Sequence, residues 1–224
     1  MEPLPIGDYN RYPKETERFN RDAADHEMTV LHDDGLYRHL RFKSPERGEY
    51  WFDLITAPGS LTIDGDMGTF MFKRETDMFP WFGSDRDSIN PGYWSEKLRA
   101  ANYGRYDGNP VRKYNGTEFR KWVFERFWDD SRDMDADKAA KAWRLIRETI
   151  FESWYSKNKS NPDSEYEAVD RIRNFHDHHE NDTGYEFYDW GEAVNTWQDF
   201  TVHYLWNCHA IVAGIRAYRA AKDE

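Results

Sequence analysis

The chain has one cysteine in 224 residues, Cys208. A single thiol cannot close an internal disulfide and offers no cysteine pair for a structural zinc site. It lies in an apolar helical pattern and reads as a small buried hydrophobe. No run approaches the ~20 consecutive apolar residues of a membrane span, so no membrane partner is expected. The opening, MEPLPIGDYNRYPKETERFN, lacks a basic segment followed by an apolar one, so no secretory signal is read there. Together these absences point to the cytoplasm of the producing cell. There is no G-x-S-x-G and no H-E-x-x-H, which removes the simplest serine-hydrolase and zinc-protease readings. Internal repeats and low-complexity segments are absent as well.

Positive charge is also scarce. Thirty-one Lys and Arg stand against 42 Asp and Glu, a formal −11 with pI near 5.2. Such a molecule does not bind phosphate backbones directly. Most of the imbalance lies between Asn161 and Glu192. There Asp163, Glu165, Glu167, Asp170, Asp177, Glu180, Asp182, Glu186, Asp189 and Glu192 face only Arg171 and Arg173, a formal −8. A block of this kind attracts basic partners. Tyr166, Phe175, Tyr185, Phe187, Tyr188 and Trp190 interleave with the acids, which argues for a folded face rather than a solvated tail.

Aromatics are abundant: ten Trp, fourteen Tyr and fourteen Phe. Each brings roughly 150–250 Å² of buriable surface, so a core can be built despite a mean hydropathy of −1.02. Residues 1–26 read as a lead-in, extended to Pro13 and then a short polar helix. Residues 27–74 carry short alternating runs separated by Asp33-Asp34-Gly35, Ser44–Gly48, Pro58-Gly59 and Asp64-Gly65-Asp66. That pattern predicts an antiparallel meander. Residues 75–224 read as a helical region forming one compact unit with the sheet. Helices are expected over Tyr93–Ala101, from Thr117 through Trp128, from about Ala136 to Lys157, over Ser164–Phe175, and over most of Trp190–Lys222; Asn102–Gly116 is expected to be a loop. The fold class is α+β, a sheet covered by helices.

Several groupings resemble chemistry. In Phe175–Glu180, His176 and His179 would share a helix face with Glu180 one turn from His176, so these three are the candidate metal ligands. His178 adjoins them, but no second motif completes a set, and a polar helix end explains them with less. Asp133, Asp135 and Asp137 imitate the start of a calcium loop, but Lys138 and Arg144 occupy the positions of its glycine and bidentate glutamate; helix capping fits better. Thr62–Gly68 is explained by an Asp-Gly hairpin. Cys208 and His209 are sequence neighbours and point about 100° apart on a helix. Arg38, Arg41, Lys43 and Arg47 gather near the second strand and read as a solvated, internally paired surface. No cofactor is expected.

The stretch HEMTVLHDDGLYRHLRFKSPERGEYWFDLITAPGSLTIDGDMGTFMFKRETDMFPWF, followed by INPGYWSEKL, resembles a group of small proteins that recur in bacteriophage, prophage and plasmid genomes. The resemblance covers about a third of the chain. It implies an accessory protein of a mobile element acting inside a bacterium, a class that includes anti-CRISPR and other anti-defence inhibitors; it carries over no catalytic residue. The first expectation is therefore an acidic inhibitor that occupies the basic nucleic-acid groove of a host defence protein or complex. Its partner-binding residues would be Asp163, Glu165, Glu167, Asp170, Asp177, Glu180, Asp182, Glu186, Tyr188 and Asp189. The alternatives are a metal-dependent enzyme acting on nucleotides or nucleic acid through the His/Asp/Glu cluster, and a self-assembling structural protein of the element. Homo-oligomers are compatible with each.

Overall fold

The computed structural model describes residues 1–6, 11–83, 88–102, 109–152, 162–177 and 183–223, without the side chains of 176, 177 and 223. In chain order the elements are α1 (Pro13–Asp22), β1 (Glu27–Asp34), β2 (Tyr37–Lys43), β3 (Phe52–Ala57), β4 (Ser60–Gly65), β5 (Thr69–Lys73), α2 (Met78–Phe82), α3 (Pro91–Glu96) and β6 (Leu98–Asn102). Then follow β7 (Arg112–Tyr114), α4 (Gly116–Asp130), α5 (Ala136–Ile146), α6 (Glu165–Asp177), α7 (Trp190–Ala193), β8 (Gln198–Phe200) and α8 (Val202–Asp223). The chain is α+β. It divides into two compact units: Met1–Val111 with Phe200–Glu224, and Arg112–Asp199. Residues 75–111, α1 and the last helix thus belong with the sheet, and α4 to α7 surround a core of their own.

The first unit is built on a six-stranded antiparallel meander in the order β1 to β6. Alternation puts Leu40, Phe42, Phe52, Leu54, Leu61, Ile63, Phe70 and Phe72 on one face, all fully buried. Each such side chain contributes about 1.5–3 kcal/mol of burial. Helix α8 packs on this face and is buried almost all round from Tyr204 to Ile215, because α1, α2 and α3 also pack against it. A helix enclosed in this way is apolar nearly all round, and its buried polar residues Asn207 and His209 are each held by a partner. At Gly214 an added Cβ would sit 2.7 Å from Leu54 Cδ1, so α8 lies flush on β3. No helix among the described residues is long and apolar enough to cross a membrane.

Four expectations change. Tyr93–Ala101 is not one helix: α3 ends at Glu96 and Leu98–Asn102 pairs with β5 as an edge strand. Its Arg and Ala residues have helix propensity, and the open hydrogen-bonding edge of β5 overrides it. Trp190–Lys222 is interrupted by a 3-10 turn at Val194–Trp197 and by β8. Thr201 then starts α8, its Oγ1 accepting from Tyr204 N at 3.1 Å. The helix expected from Ala136 to Lys157 passes at Arg147 into a π turn ending at Phe151; its remainder from 153 lies outside the described residues. The loop expected over Asn102–Gly116 contains β7, which pairs with β8.

The second unit has its own core: Phe119 and Val123 of α4, Ala142 and Ile146 of α5, Ala168, Ile172 and Phe175 of α6, and Trp197. Trp197 meets Phe119 edge-on at 4.9 Å and Trp122 at 5.0 Å between ring centroids. Edge-to-face pairs of this kind add about 0.5–1.5 kcal/mol beyond area burial.

Candidate partner-binding face

Helix α6 begins with a reciprocal cap. Ser164 Oγ accepts from Glu167 N at 3.2 Å, and Glu167 Oε2 accepts from Asp163 N at 2.8 Å. The helix buries Ala168, Arg171, Ile172 and Phe175 and turns Tyr166, Asp170, Arg173 and Asn174 outward. Its carboxylates therefore differ in role. Glu167 binds the buried Arg171 guanidinium at 2.6 Å, and Glu165 accepts from Gln198 Nε2 at 2.8 Å; both hold the unit together. Asp163 and Asp170 are exposed, and Asn174 donates to Asp170 at 3.0 Å. Asp177 lies in the last turn of α6, where only its backbone is described, as does His176. His178, His179, Glu180 and Asp182 lie outside the described residues. Tyr188 and Asp189 are exposed, Glu186 is half-buried, and Asp189 has φ +59° just ahead of α7.

The structure adds carboxylates that the acidic stretch does not contain. A cleft of about 590 Å³ opens between the end of α4, the start of α5 and the segment 183–188. Asp129, Asp130, Asp133, Asp135, Glu186 and Tyr188 line it, and Lys138 is the one cation among its described lining residues. Asp130 is paired with Arg126 at 3.0 Å and accepts from the Tyr185 hydroxyl at 3.2 Å. Burial first, and then the Asp130 charge, push the Tyr185 phenol well above its ordinary range, so it remains a donor. Asp135 caps α5 by accepting from Asp137 N and Lys138 N at 3.0 and 3.2 Å, which is the capping role expected of it. Asp129 is bridged to Arg132 at 3.2 Å. Asp133 has no ion pair among the described residues. A concave surface with this excess of carboxylate focuses negative potential.

Elsewhere the charges are spent internally. Arg38 forks onto Asp77, Arg41 onto Asp53 at 2.9 and 2.8 Å, and Arg47 pairs with Asp25. These pairs match the internally paired surface expected for the basic cluster. Cys208 is fully buried, and burial pushes its thiol well above the ordinary range. Among the described residues no three His, Cys, Asp or Glu side chains converge as a metal ion requires. No family model, curated protein or solved structure matches the chain.

Proposed function

We propose that this is an acidic binding protein of a bacteriophage or other mobile element, and that it inhibits a host defence complex inside the bacterial cell by covering a basic nucleic-acid-binding surface. The observation that carries the reading is the carboxylate-lined cleft of the second unit, with the exposed Tyr188 in its lining. Carboxylates can stand in for phosphates, and tyrosine provides rigid contact area at interface centres. The −8 stretch and the resemblance to mobile-element proteins support the same reading. Complementary charge acts mainly on encounter rate and on choice of partner.

The test is capture of partners from a bacterial lysate with the tagged protein, followed by affinity measurement against the captured nuclease or effector. Charge reversal at Asp133, Asp170 and Asp189, whose side chains hold no buried group among the described residues, should weaken binding by on the order of 10–100-fold and flatten its salt dependence. Unchanged affinity in a folded triple variant would remove the charge-mimic reading. Glu167 is unsuitable for this test, because its loss would leave the buried Arg171 without its carboxylate.

A further inference from the structure

Two buried histidines of the first unit sit at the two ends of one row of aromatic rings. His209, on α8, is 2% exposed, and its Nε2 lies 3.1 Å from Thr16 Oγ1 on α1. The Thr16 hydroxyl donates to the Tyr12 carbonyl at 3.1 Å, which leaves its lone pair for His209 Nε2–H. His209 Nδ1 then has no partner among the described residues. The His209 ring lies 6.1 Å from Phe19 of α1, Phe19 lies 5.1 Å from Trp206, Trp206 lies 5.8 Å from Phe52, and Phe52 lies 6.2 Å from His26.

The two ends are built differently. His26 Nε2 donates to the Tyr50 carbonyl at 2.9 Å, and Asp25 Oδ1 stands 3.8 Å from its Nδ1. Asp25, Arg47 and the Met1 ammonium are the charged groups that act on it. Burial, the largest influence, lowers the His26 imidazole as well, but a proton there meets the Tyr50 carbonyl and the Asp25 carboxylate, which oppose the shift. Among the described residues nothing comparable faces His209. From α1 it meets Thr16 and Phe19, the one acid buried on that helix, Asp22, is taken by Arg18 and Arg21, and burial alone governs the imidazole. A second proton on His209 would put an N–H and a charge into an apolar, ring-lined space that offers no acceptor among the described residues.

Helix α1 contributes no strand to the sheet. Beyond the His209 contact, it is tied by Asn20 to Leu4 at 2.8 and 2.9 Å, and the segment after it is anchored where Asp25 meets Ser44 and Arg47. Phe19 ties α1 to the core at 1% exposure, but the helix holds no ladder hydrogen bond of the sheet, so it can open as a local unit. We propose that His209 is an acid-sensitive latch: its protonation undocks α1 from α8, with Asp25 as the retained anchor, and uncovers the Phe19–Trp206 contact while the six strands stay paired.

The sign follows from burial. His209 is lowered from 6.5 to about 4 in the folded chain. Docking of α1 is complete above pH 6.5 and is lost as the pH falls through 4. Amide hydrogen exchange, corrected for intrinsic rates, tests this between pH 7.5 and 4.5. Protection of residues 13–22 should drop on the order of 80-fold by pH 4.5, with that of β2–β4 nearly constant. His209→Gln keeps a donor for Thr16 and cannot be protonated; in it the helix should show little pH dependence, whatever its absolute protection. The latch is overturned if α1 and the sheet lose protection together, if α1 protection does not vary with pH, or if His209→Gln retains the wild-type fall. The first two outcomes are read on the wild-type chain and need no variant to fold.

Discussion

Gly65→Ala should strongly destabilise the first unit. An alanine Cβ at this position would stand 2.1 Å from the Trp51 carbonyl oxygen and 2.9 Å from Phe52 Cα. Both obstacles are backbone, so no side chain can swing aside. Gly65 is in register with Phe52 where β4 leaves the centre of the sheet, and Asp66 N donates to the same Trp51 oxygen at 3.2 Å. Relief would need β3 and β4 to part just where Phe52 and Ile63 are fully buried. The expected loss is at least about 3 kcal/mol, above the usual cost of overpacking a core, because the clash is with main chain. Gly48→Ala is the control: its Cβ would meet nothing within 4 Å and its φ is ordinary. It should be neutral or stabilising by about 0.4–1 kcal/mol through the unfolded chain. Urea midpoints of the two variants, followed with exchange protection in β3 and β4, measure the contrast; a tolerated Gly65→Ala would mean the two strands are less tightly joined than described.

The meander was legible because alternation and turn chemistry agree strand by strand. Leu36, Arg38, Leu40 and Phe42 alternate with Tyr37, His39 and Arg41, and the structure puts Leu40 and Phe42 inward while His39 and Arg41 reach Asp53 on the other face. β6 was not legible. Leu98-Arg-Ala-Ala-Asn has neither alternation nor β-branched residues, and only its pairing with Thr69–Phe72 makes it a strand. The breaks near Trp197 and Arg147 were hidden in different ways. The first lies in residues 194–201, whose Val, Asn, Thr and Asp residues are weak helix formers between two helical patterns, and the second lies inside a strong helical pattern; the buried Trp197 indole sits at one, and the Arg171 guanidinium meets the Ile150 carbonyl at the other.

The candidate face was legible in sign and only partly in residues. Asp170, Tyr188 and Asp189 are exposed, as a binding role requires, whereas Glu165 and Glu167 are engaged by Gln198 and Arg171. A charge count cannot separate a carboxylate that meets solvent from one that neutralises a buried guanidinium. Asp129, Asp130 and Asp133 lie outside the acidic stretch, and their run across a helix break was the available signal. Their convergence with Glu186 depends on how α4 and the segment 183–188 fold together, and local spacing does not encode that.

Arg171→Met should be the most damaging single change in the second unit. The side chain is 4% exposed, its Nη1 donates to the Ile150 carbonyl at 2.6 Å, and its Nη2 donates to Glu167 at 2.6 Å. Ile150 lies in the π turn, where the Arg147 carbonyl takes its bond from Glu152 N, one residue beyond α-helical spacing. The guanidinium thus caps a carbonyl of an irregular turn and neutralises the carboxylate that caps α6. Methionine would keep the apolar stem and leave both acceptors without their cation. Breaking such a buried pair costs about 3–5 kcal/mol. Lysine should be intermediate, since an ammonium lacks the planar fork that serves both oxygens. The double variant Arg171→Met with Glu167→Gln separates the causes. If the stranded carboxylate dominates, the second change should recover about 1–3 kcal/mol; no recovery would assign the loss to the Ile150 carbonyl. The same cycle protects the binding test. Loss of inhibition with Glu167 variants would follow from a loosened α6, so the charge-mimic reading is judged on Asp133, Asp170 and Asp189, whose removal leaves Arg171 satisfied.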